Sequence, residues 1–430
     1  MTCFVKRYII NKKSMAIVVP FKGLRTPNEE ICEELTCLPY DVMNSEEAAQ
    51  MVKGKNKSLL HVTRAEIDCA PGTDVHSETV YEKSVENFKM FQEKGWLVQD
   101  DEAKFYIYAQ TMDGRTQYGI VACASCQDYV NGVIKKHELT RPDKEEDRMI
   151  LTRHVNANLE PVFFSYKAVP EIDAIVENIV KNHKATYDFT SEDGFGHHFW
   201  VINDASTNTR IKELFATKVP ATYVADGHHR TAAAARIGAE YAAKNPNHTG
   251  KEDYNFFMAV HFPDNQLNII DYNRVVKDLN GLTESELLEK ISANFVVKDM
   301  GTEIYHPAKL HEFSMYLAGK WYKMTAKEGT YNDNNPIGVL DVTVLSKHVL
   351  ADILDIQDLR TSTRIDFVGG IRGLKELKRR VDNGEMKVAF ALYAVSMAQL
   401  IEIADTGNIM PPKTTWFEPK LRSGLVIHKI

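Results

Sequence analysis

Cysteine is scarce in this 430-residue sequence, which has only six cysteines and therefore no disulfide framework. Cys123 and Cys126 form one Cys-x-x-Cys motif without a second pair, so we expect free thiols and not a zinc site. No apolar run approaches the length of a membrane span. Residues 1–14 lack an apolar core, so we expect no signal peptide, and Met15 is an alternative start. These absences predict a cytoplasmic protein without a membrane partner.

An excess of basic residues is also absent. The sequence has 52 lysines and arginines against 59 aspartates and glutamates, which gives a net charge of -7 at pH 7. Contacts to the phosphates of nucleic acid need a basic face, so we expect no specific nucleic-acid partner, although a local basic patch stays open. The lysine motif of P-loop NTPases and the motifs of protein kinases are missing as well.

The composition that remains is typical of a globular protein, with 44% hydrophobic and 26% charged residues. A chain of this length predicts two or three domains. Helical and strand-like segments alternate along the second half, which predicts a mixed α+β or α/β fold. We expect an N-terminal lobe at residues 15–250 and a second α/β lobe at residues 251–430. The oligomeric state is not predicted.

Local patterns predict several elements. Asp113-Gly114 between two alternating runs is a good signal for a β-hairpin. Apolar periodicity and helix-end residues predict four others. These are a strand at residues 58–63, a hairpin of residues 256–262 with 267–276, a helix at residues 307–317, and a helix at residues 143–158 capped by Thr140.

The stretch from Asp226 to Thr231, called the signature loop below, follows a predicted buried strand and opens an alanine-rich helix. It reads Asp226-Gly227-His228-His229-Arg230-Thr231. The first amides of a helix have no partner within it, and the helix dipole adds positive charge there, so the loop suits a phosphate or a carboxylate. Arg230 can add a bidentate clamp, and Asp226 can orient a histidine or hold a cation such as Mg²⁺. The alternative is that these polar groups only cap the helix.

Three other segments are candidate site residues. Lys136, His137 and Glu138 follow a strand-like run, and we expect them to line the site. The charges that follow, including Arg141 and Arg148, are typical of an exposed, salt-bridged face. The remaining candidates lie in the second lobe. A glycine-rich turn with Gly369, Gly370 and Arg372 can bring backbone amides and a positive charge to a ligand, and the alternative is that its glycines serve close packing. The segment of residues 410–420, called the lysine loop below, carries Lys413 and Lys420, which could neutralise a phosphate, and the alternative is a surface arm.

From about Ala16 to the C-terminus, the chain resembles a bacterial and archaeal family catalogued as domain of unknown function 1015. The signature loop is also similar to the phosphate-holding loop of the ParB/sulfiredoxin fold, which includes chromosome-partitioning CTPases, sulfiredoxin and a free-serine kinase. The resemblance implies a ParB/sulfiredoxin-like N-terminal lobe. The family resemblance is carried by Pro20 to Arg25, Pro39 to Val42, His61 to Arg64, Lys135 to Glu138, Asp226 to Arg230, Asp366 to Gly370, and Met410 to Lys420.

This set of residues fits phosphoryl transfer on a small polar molecule, which needs mainly positioning and charge neutralisation. Glu138 would deprotonate a hydroxyl or water, His228 or His229 would donate to a phosphoryl oxygen, and the cationic side chains would hold charge. The resemblance implies serine or phosphoserine as substrate, with an adenine nucleotide if the enzyme is a kinase and water if it is a phosphatase. A ParB-like nucleotide-binding regulator acting with DNA and a non-catalytic ligand sensor stay open as alternatives. We further expect both lobes to contribute to one site.

Overall fold

The computed structural model describes residues 14–430, and the expectations about a signal peptide fall almost wholly on residues outside this range. The chain forms two compact units. The first unit comprises the residues up to Lys135, Thr140–Gln266 and Leu421–Ile430. The second unit comprises Lys136–Leu139 and Leu267–Lys420. The main boundary between the units lies at Gln266–Leu267, and two short segments, Lys136–Leu139 and Leu421–Ile430, group with the unit remote from them in sequence. The predicted division into lobes at residue 250 stays a prediction.

The first unit contains most of the helices and a large mixed sheet. Its elements up to residue 266 are β1 (Val18–Val19), β2 (Leu24–Arg25), α1 (Glu29–Leu35), α2 (Ser45–Met51), α3 (Leu60–Thr63), α4 (Glu78–Glu93), β3 (Val98–Gln99), β4 (Tyr106–Met112), β5 (Arg115–Ser125), α5 (Cys126–Val130), β6 (Ile134–Lys135), α6 (Pro142–Val155), β7 (Ala157–Asn158), β8 (Val162–Tyr166), α7 (Pro170–Asn182), β9 (Tyr187–Thr190), β10 (Gly196–Val201), α8 (Ala205–Lys218), β11 (Thr222–Asp226), α9 (His228–Lys244) and β12 (Phe256–Pro263).

The main sheet of the first unit has the strand order β6-β11-β8-β12-β5-β4-β10-β9, with β1 paired to β5. Most neighbours are antiparallel, but β11 runs parallel to β6, and β12 runs parallel to β8. Helix α9 covers the β11 region, where Val224, Ala235, Phe257 and Ala259 share one apolar core. The strand that leads into the signature loop is therefore held inside the sheet and under a helix.

The second unit is built on a smaller sheet. Its elements are β13 (Ile269–Ile270), β14 (Tyr272–Val276), α10 (Glu284–Asn294), β15 (Phe295–Gly301), β16 (Glu312–Leu317), β17 (Lys320–Ala326), α11 (Asp341–Leu345), β18 (Ile365–Gly369), α12 (Gly373–Asp382), β19 (Val388–Leu392), α13 (Met397–Asp405) and β20 (Trp416–Phe417), and a last strand, β21 (His428–Lys429), returns to the first unit. The sheet order is β15-β17-β16-β19-β14-β18, with every pair antiparallel. The mixed α/β class is thus confirmed.

Several predicted elements are confirmed because their signals are local. The hairpin of β4 and β5 turns at Asp113 and Gly114, both of which have positive φ, as the tight turn requires. The five cysteines within the described residues are free thiols, and burial raises the pKa of Cys126 to about 12. Within residues 14–430, no helix has the length and apolar character needed to cross a membrane.

The strand predicted at residues 58–63 is wrong. Residues Leu60–Thr63 form the short helix α3, and Leu59, Leu60 and Val62 are all buried in a core shared with α4. A short apolar run is compatible with a strand or with a buried helical turn, and only its packing partner decides between them. Here the partner is a helix surface and not a strand.

The helix predicted at residues 307–317 is also wrong. Residues Glu312–Leu317 are strand β16, which lies between β17 and β19 and has every residue buried. Ala318 and Gly319 supply the positive φ angles of the turn to β17. Pro307 is a residue favoured at helix starts, but the pairing of β16 on both edges outweighs that local preference.

The hairpin predicted across residues 263–265 does not form. Strand β12 pairs with β5 and β8 in the first unit, whereas β14 pairs with β18 and β19 in the second. The short 3-10 helix Asp264–Gln266 ends the first unit instead of reversing the chain. Both runs form strands, as their alternating pattern predicts. Each of them pairs with strands of its own unit instead of with the other run.

The cap predicted for α6 is corrected by the structure. Pro142 occupies the first turn, as expected, but Arg141 is the N-cap residue, and Thr140 instead donates to the carboxylate of Glu145. The helix ends at Val155, because Asn156 adopts a left-handed φ of 51°.

Candidate functional site

The signature loop has the predicted strand–glycine–helix geometry. Strand β11 ends at Asp226, Gly227 has φ 92° and ψ 33°, and α9 starts at His228. A Cβ atom at Gly227 would lie 3.2 Å from Cγ1 of Val162 and 3.4 Å from Cζ of Arg230. The left-handed backbone angle favours glycine at this position, and an added methyl group would be tight only against Val162.

Gly227→Ala is expected to destabilise the first unit by about 1–3 kcal/mol, because the left-handed backbone is unfavourable for alanine and the methyl group crowds Val162. The free energy of unfolding in urea measures the effect. Gly194→Ala is the matched control, because Gly194 has φ 84° but open space around its Cα. If Gly227→Ala lowers the free energy of unfolding no more than Gly194→Ala does, the contacts of the new methyl group have no cost beyond that of the left-handed backbone.

The first turn of α9 presents backbone amides that the helix itself does not use. Its first hydrogen bond of the helical ladder runs from Thr231 N–H to the Gly227 carbonyl, at 2.9 Å. No side chain caps the helix at Gly227, and the Gly227 amide donates to Oδ1 of the half-buried Asp226, at 2.8 Å. A helix of 17 residues without a side-chain cap offers an anion both amides and dipole.

Arg230 lies in the same first turn and has three carboxylates nearby, those of Asp41, Glu160 and Asp226. Its Nη1 donates to the Pro161 carbonyl at 2.6 Å, and its buried Nε has no acceptor within residues 14–430. Burial lowers the pKa of the guanidinium, but Asp41, Glu160 and Asp226 raise it, and the result lies above the ordinary value. The side chain is therefore a permanent cation with a hydrogen-bonding nitrogen to spare.

His229 is held as a neutral imidazole. The backbone amide of Arg141 donates to its Nε2 at 3.1 Å, so Nε2 carries a lone pair and the ring proton sits on Nδ1. Burial lowers the pKa of His229, and the nearby carboxylate of Asp41 opposes this only in part. The ring can thus donate a hydrogen bond from Nδ1 without carrying charge. His228, the preceding residue, is buried.

The motif Pro39 to Val42 joins this region through Glu160. Oε1 of Glu160 accepts from the Tyr40 amide at 2.9 Å and from the Ser423 hydroxyl at 3.2 Å. Asp41, next to Tyr40, is one of the carboxylates that raise the pKa of Arg230. Sequence reasoning used Tyr40 and Asp41 only as marks of resemblance and missed Glu160, whose one local signal is an acid immediately before a buried strand.

Arg148 is a further residue that sequence reasoning did not assign to the site. Its guanidinium lies 3.7 Å from the ring centroid of Tyr40, and it donates twice to Oδ2 of Asp147, at 2.9 and 2.6 Å. The prediction of an exposed charged face is correct for Arg141, whose side chain is 65% exposed. It is wrong for Arg148, whose side chain is only 12% exposed. Asp147 also accepts a hydrogen bond from the Tyr81 hydroxyl at 2.8 Å. This bond and the pairing with Arg148 compensate for burying the two charged groups.

In the second unit, the structure brings two of the predicted segments together. The Met410 amide donates to the His137 carbonyl at 2.8 Å, and Nε2 of the buried His137 lies 3.3 Å from the Thr415 hydroxyl. Lys136 is exposed and Glu138 is half-buried. The segment of Lys136–Leu139 is thus fastened to the lysine loop. Whether both units contribute to one site stays a prediction.

The lysine loop is packed and is not a loose surface arm. Its Lys413 carbonyl accepts from the buried Arg274 at 2.9 Å. The ammonium of Lys413 lies 5.7 Å from the ring centroid of Tyr272, and that of Lys420 lies 4.6 Å from that of Trp416. These contacts hold both lysines near aromatic rings of the second unit, and their predicted role in binding phosphate stays a prediction.

Close packing accounts for both glycines of the glycine-rich turn. A Cβ atom at Gly369 would lie 2.8 Å from Cε2 of Trp416, and one at Gly370 would collide with Asp271. The Gly370 amide donates to the Asp271 carbonyl at 2.7 Å. Close packing, the alternative given in the sequence analysis, is therefore enough to explain why both residues are glycine. An anion-binding role for this turn and the exposed Arg372 stays a prediction.

The described residues offer Mg²⁺ no preformed cage. Within residues 14–430, no three His, Cys, Asp or Glu side chains form a group suited to a metal ion. Mg²⁺ is commonly bound through one or two carboxylates together with phosphate oxygens. A role for Asp226 in such a shared site stays a prediction.

The comparisons with known proteins now identify the family. A family model described as "Protein of unknown function (DUF1015)" matches residues 18–343. The chain belongs to the DUF1015 family. No curated protein matches it. The ParB/sulfiredoxin-like character of the first lobe is not part of what the family match establishes and stays a prediction.

Several solved structures are similar to this DUF1015 protein at low scores. A conserved hypothetical protein from Pyrococcus furiosus is 14% identical with a TM-score of 0.33, and the match covers 70% of this chain and 90% of that one. A free serine kinase in complex with AMP is 13% identical with a TM-score of 0.35, covering 71% and 91%. A C-terminally truncated SbnI from Staphylococcus aureus is 11% identical with a TM-score of 0.36, covering 71% and 85%. At these scores the likeness carries no argument about activity.

Proposed function

We propose that this DUF1015 protein is a phosphoryl-transfer enzyme for a small polar metabolite and that its signature loop holds the phosphate. One observation carries the proposal. The turn at Gly227 opens an uncapped helix, and Arg230 in its first turn keeps a buried Nε without an acceptor in residues 14–430. Backbone amides, helix dipole and guanidinium together form an anion site of the kind that phosphate groups occupy.

The carboxylates around Arg230 narrow the class of substrate. Asp41, Glu160 and Asp226 are close enough to raise the pKa of the arginine. The three carboxylates weaken the attraction of Arg230 for a bare phosphate, whereas a ligand that also carries a positive charge can place that charge against the carboxylates. Phosphoserine, which has a phosphate and an ammonium group, fits this description, and so does a nucleotide that arrives with Mg²⁺. We therefore propose serine or phosphoserine as the substrate, with an adenine nucleotide as the donor in the kinase direction.

The candidate site residues have separate roles in this proposal. The amides of α9 and Arg230 bind the phosphoryl group, and His229 donates from Nδ1 to one of its oxygens. Asp226 is the proposed ligand for Mg²⁺, which, when bound, would neutralise phosphate charge. Glu138 keeps its proposed role as the base that takes a proton from a hydroxyl or water.

The proposal predicts a product that two parallel assays detect. Purified protein with Mg²⁺ should form phosphoserine from serine and ATP or ADP, or should release inorganic phosphate from phosphoserine alone. Glu138→Gln should lower turnover by about 100-fold or more while leaving ligand-induced thermal stabilisation in place, because loss of a proton acceptor affects chemistry more than binding. Absence of product in both assays, with ligand binding intact, would favour the non-catalytic sensor.

A further inference from the structure

A small cavity in the first unit is lined by two arginines from different helices. Arg148 of α6 and Arg230 of α9 border it together with Glu160, and the cavity volume is about 50 Å³. About 10–15 Å³ is enough for one water molecule, so this cavity has room for a small polyatomic group but not for a nucleoside. Most of the other lining residues are apolar, among them Leu151, Val162, Ala233 and Phe257.

Both arginines that line the cavity have a nitrogen that lacks an acceptor within the described residues. Within residues 14–430, buried Nη1 of Arg148 and buried Nε of Arg230 have no hydrogen-bond partner. Their other nitrogens are engaged, since Nε and Nη2 of Arg148 bind Asp147 and Nη1 of Arg230 binds the Pro161 carbonyl. Buried donors of charged groups are costly to leave unpaired, so an acceptor for each nitrogen is favoured.

The carboxylates near the cavity already have other donors. Asp147 accepts from Arg148, from the Tyr81 hydroxyl at 2.8 Å and from His76 at 2.8 Å. Oε1 of Glu160 accepts from the Tyr40 amide at 2.9 Å. Among the groups that line the cavity, two guanidinium groups and one carboxylate leave one positive charge in excess.

We propose that Arg148 and Arg230 together bind one oxyanion group of the ligand in this cavity, either a carboxylate or a phosphoryl group. The inference rests on the proposed function, because Arg230 also belongs to the signature loop, and it adds Arg148 as a binding residue. One guanidinium group from each of two helices can give charge-assisted hydrogen bonds to one oxyanion.

The test uses a substitution that keeps the charge but removes the extra donor. Arg148→Lys retains a cation for Asp147 and for the face of Tyr40, but a single ammonium group cannot pair with Asp147 and also replace Nη1. Arg153→Lys is the matched control, because Arg153 lies on the same helix and pairs at the surface with Glu146 and Glu240. Calorimetric titration with phosphate and, separately, with acetate measures binding without turnover.

We expect Arg148→Lys to weaken binding of at least one of the two anions by about 10-fold to 100-fold, and Arg153→Lys to leave both affinities unchanged. Weakened phosphate binding alone assigns the cavity to a phosphoryl group, and weakened acetate binding alone assigns it to a carboxylate. If Arg148→Lys does not fold, as circular dichroism would show, Arg230→Lys tests the cavity from the other helix with the same expected loss.

Equal affinities in Arg148→Lys and wild type, or no binding of either anion by wild type, would overturn the inference and leave the cavity to water. The assay separates this result from failure of the proposed function. If the protein binds anions through Arg148 but forms no product, the proposed enzymatic function is wrong and the proposed anion site stands. If the protein is active but Arg148→Lys leaves anion binding unchanged, the proposed function stands and the proposed anion site is wrong.

Discussion

Arg230→Gln is expected to lower phosphoryl transfer by about 100-fold or more. The guanidinium is the one group of the signature loop that combines a permanent charge with an unused buried donor within the described residues. Glutamine removes the charge that would oppose the developing phosphate charge, and it removes a cation that lies near Asp41 and Asp226. The specific activity of the purified variant in the serine and phosphoserine assays measures the loss.

Arg236→Gln is the matched control for this prediction. Arg236 lies on the same helix, α9, but its guanidinium is at the surface and pairs with Glu145 and Glu146, at 3.0 and 3.3 Å. Surface pairs of this kind contribute about 0–1 kcal/mol, so the control should keep wild-type activity. Full activity in Arg230→Gln would show that the signature loop does not hold the transferred phosphate, and equal losses in both variants would point to a general effect on α9.

His261→Phe is expected to make the first unit markedly less sensitive to acid. His261 of β12 is fully buried, and neither ring nitrogen has a hydrogen-bond partner within residues 14–430. Burial lowers its pKa to about 3, from an ordinary value of 6.5. Between these two pH values, the unfolded chain binds a proton at this residue and the folded chain does not.

The sign of the effect follows from that difference in bound protons. As pH falls from 6.5 towards 3, each such histidine removes about 1.4 kcal/mol of folding free energy per pH unit. Phenylalanine preserves the edge-to-face contacts with Phe164 and Phe215 but cannot be protonated. The substitution should therefore flatten the pH dependence, whatever constant repacking cost it adds.

Urea unfolding at a series of pH values, followed by circular dichroism, measures that dependence as a difference between variant and wild type. His183→Phe, at an exposed histidine, is the control and should reproduce the wild-type slope. Some acid sensitivity should remain in His261→Phe, because burial also lowers the pKa of His197 to about 3. Parallel curves for His261→Phe and wild type would show that His261 takes up no extra proton on unfolding.

The signature loop was predictable because all of its determinants are neighbours in sequence. A buried run ends at Asp226, Gly227 permits the turn, and alanines favour the helix that follows. The same holds for the Asp113-Gly114 hairpin and for the mixed α/β class. Where local preference and tertiary pairing agree, the sequence alone was sufficient.

The failures have the opposite character. Residues Leu60–Thr63 and Glu312–Leu317 carry apolar patterns that suit more than one element, and the surface against which each packs decided the outcome. The two runs predicted as a hairpin across residue 264 belong to different sheets. Strand pairing is non-local, and the alternating pattern of a strand does not show which other strand it pairs with.

By itself, the sequence determined a strand–glycine–helix turn at Gly227 with an arginine in the first turn of the following helix. Only the tertiary structure decided which groups surround that arginine. Asp41, Arg148, Glu160 and Arg230 are far apart along the chain, and each has an ordinary local explanation as a surface charge. They lie close together because α9 packs against α6 on one side and against β8 on another, and this packing groups ordinary charges into a candidate site.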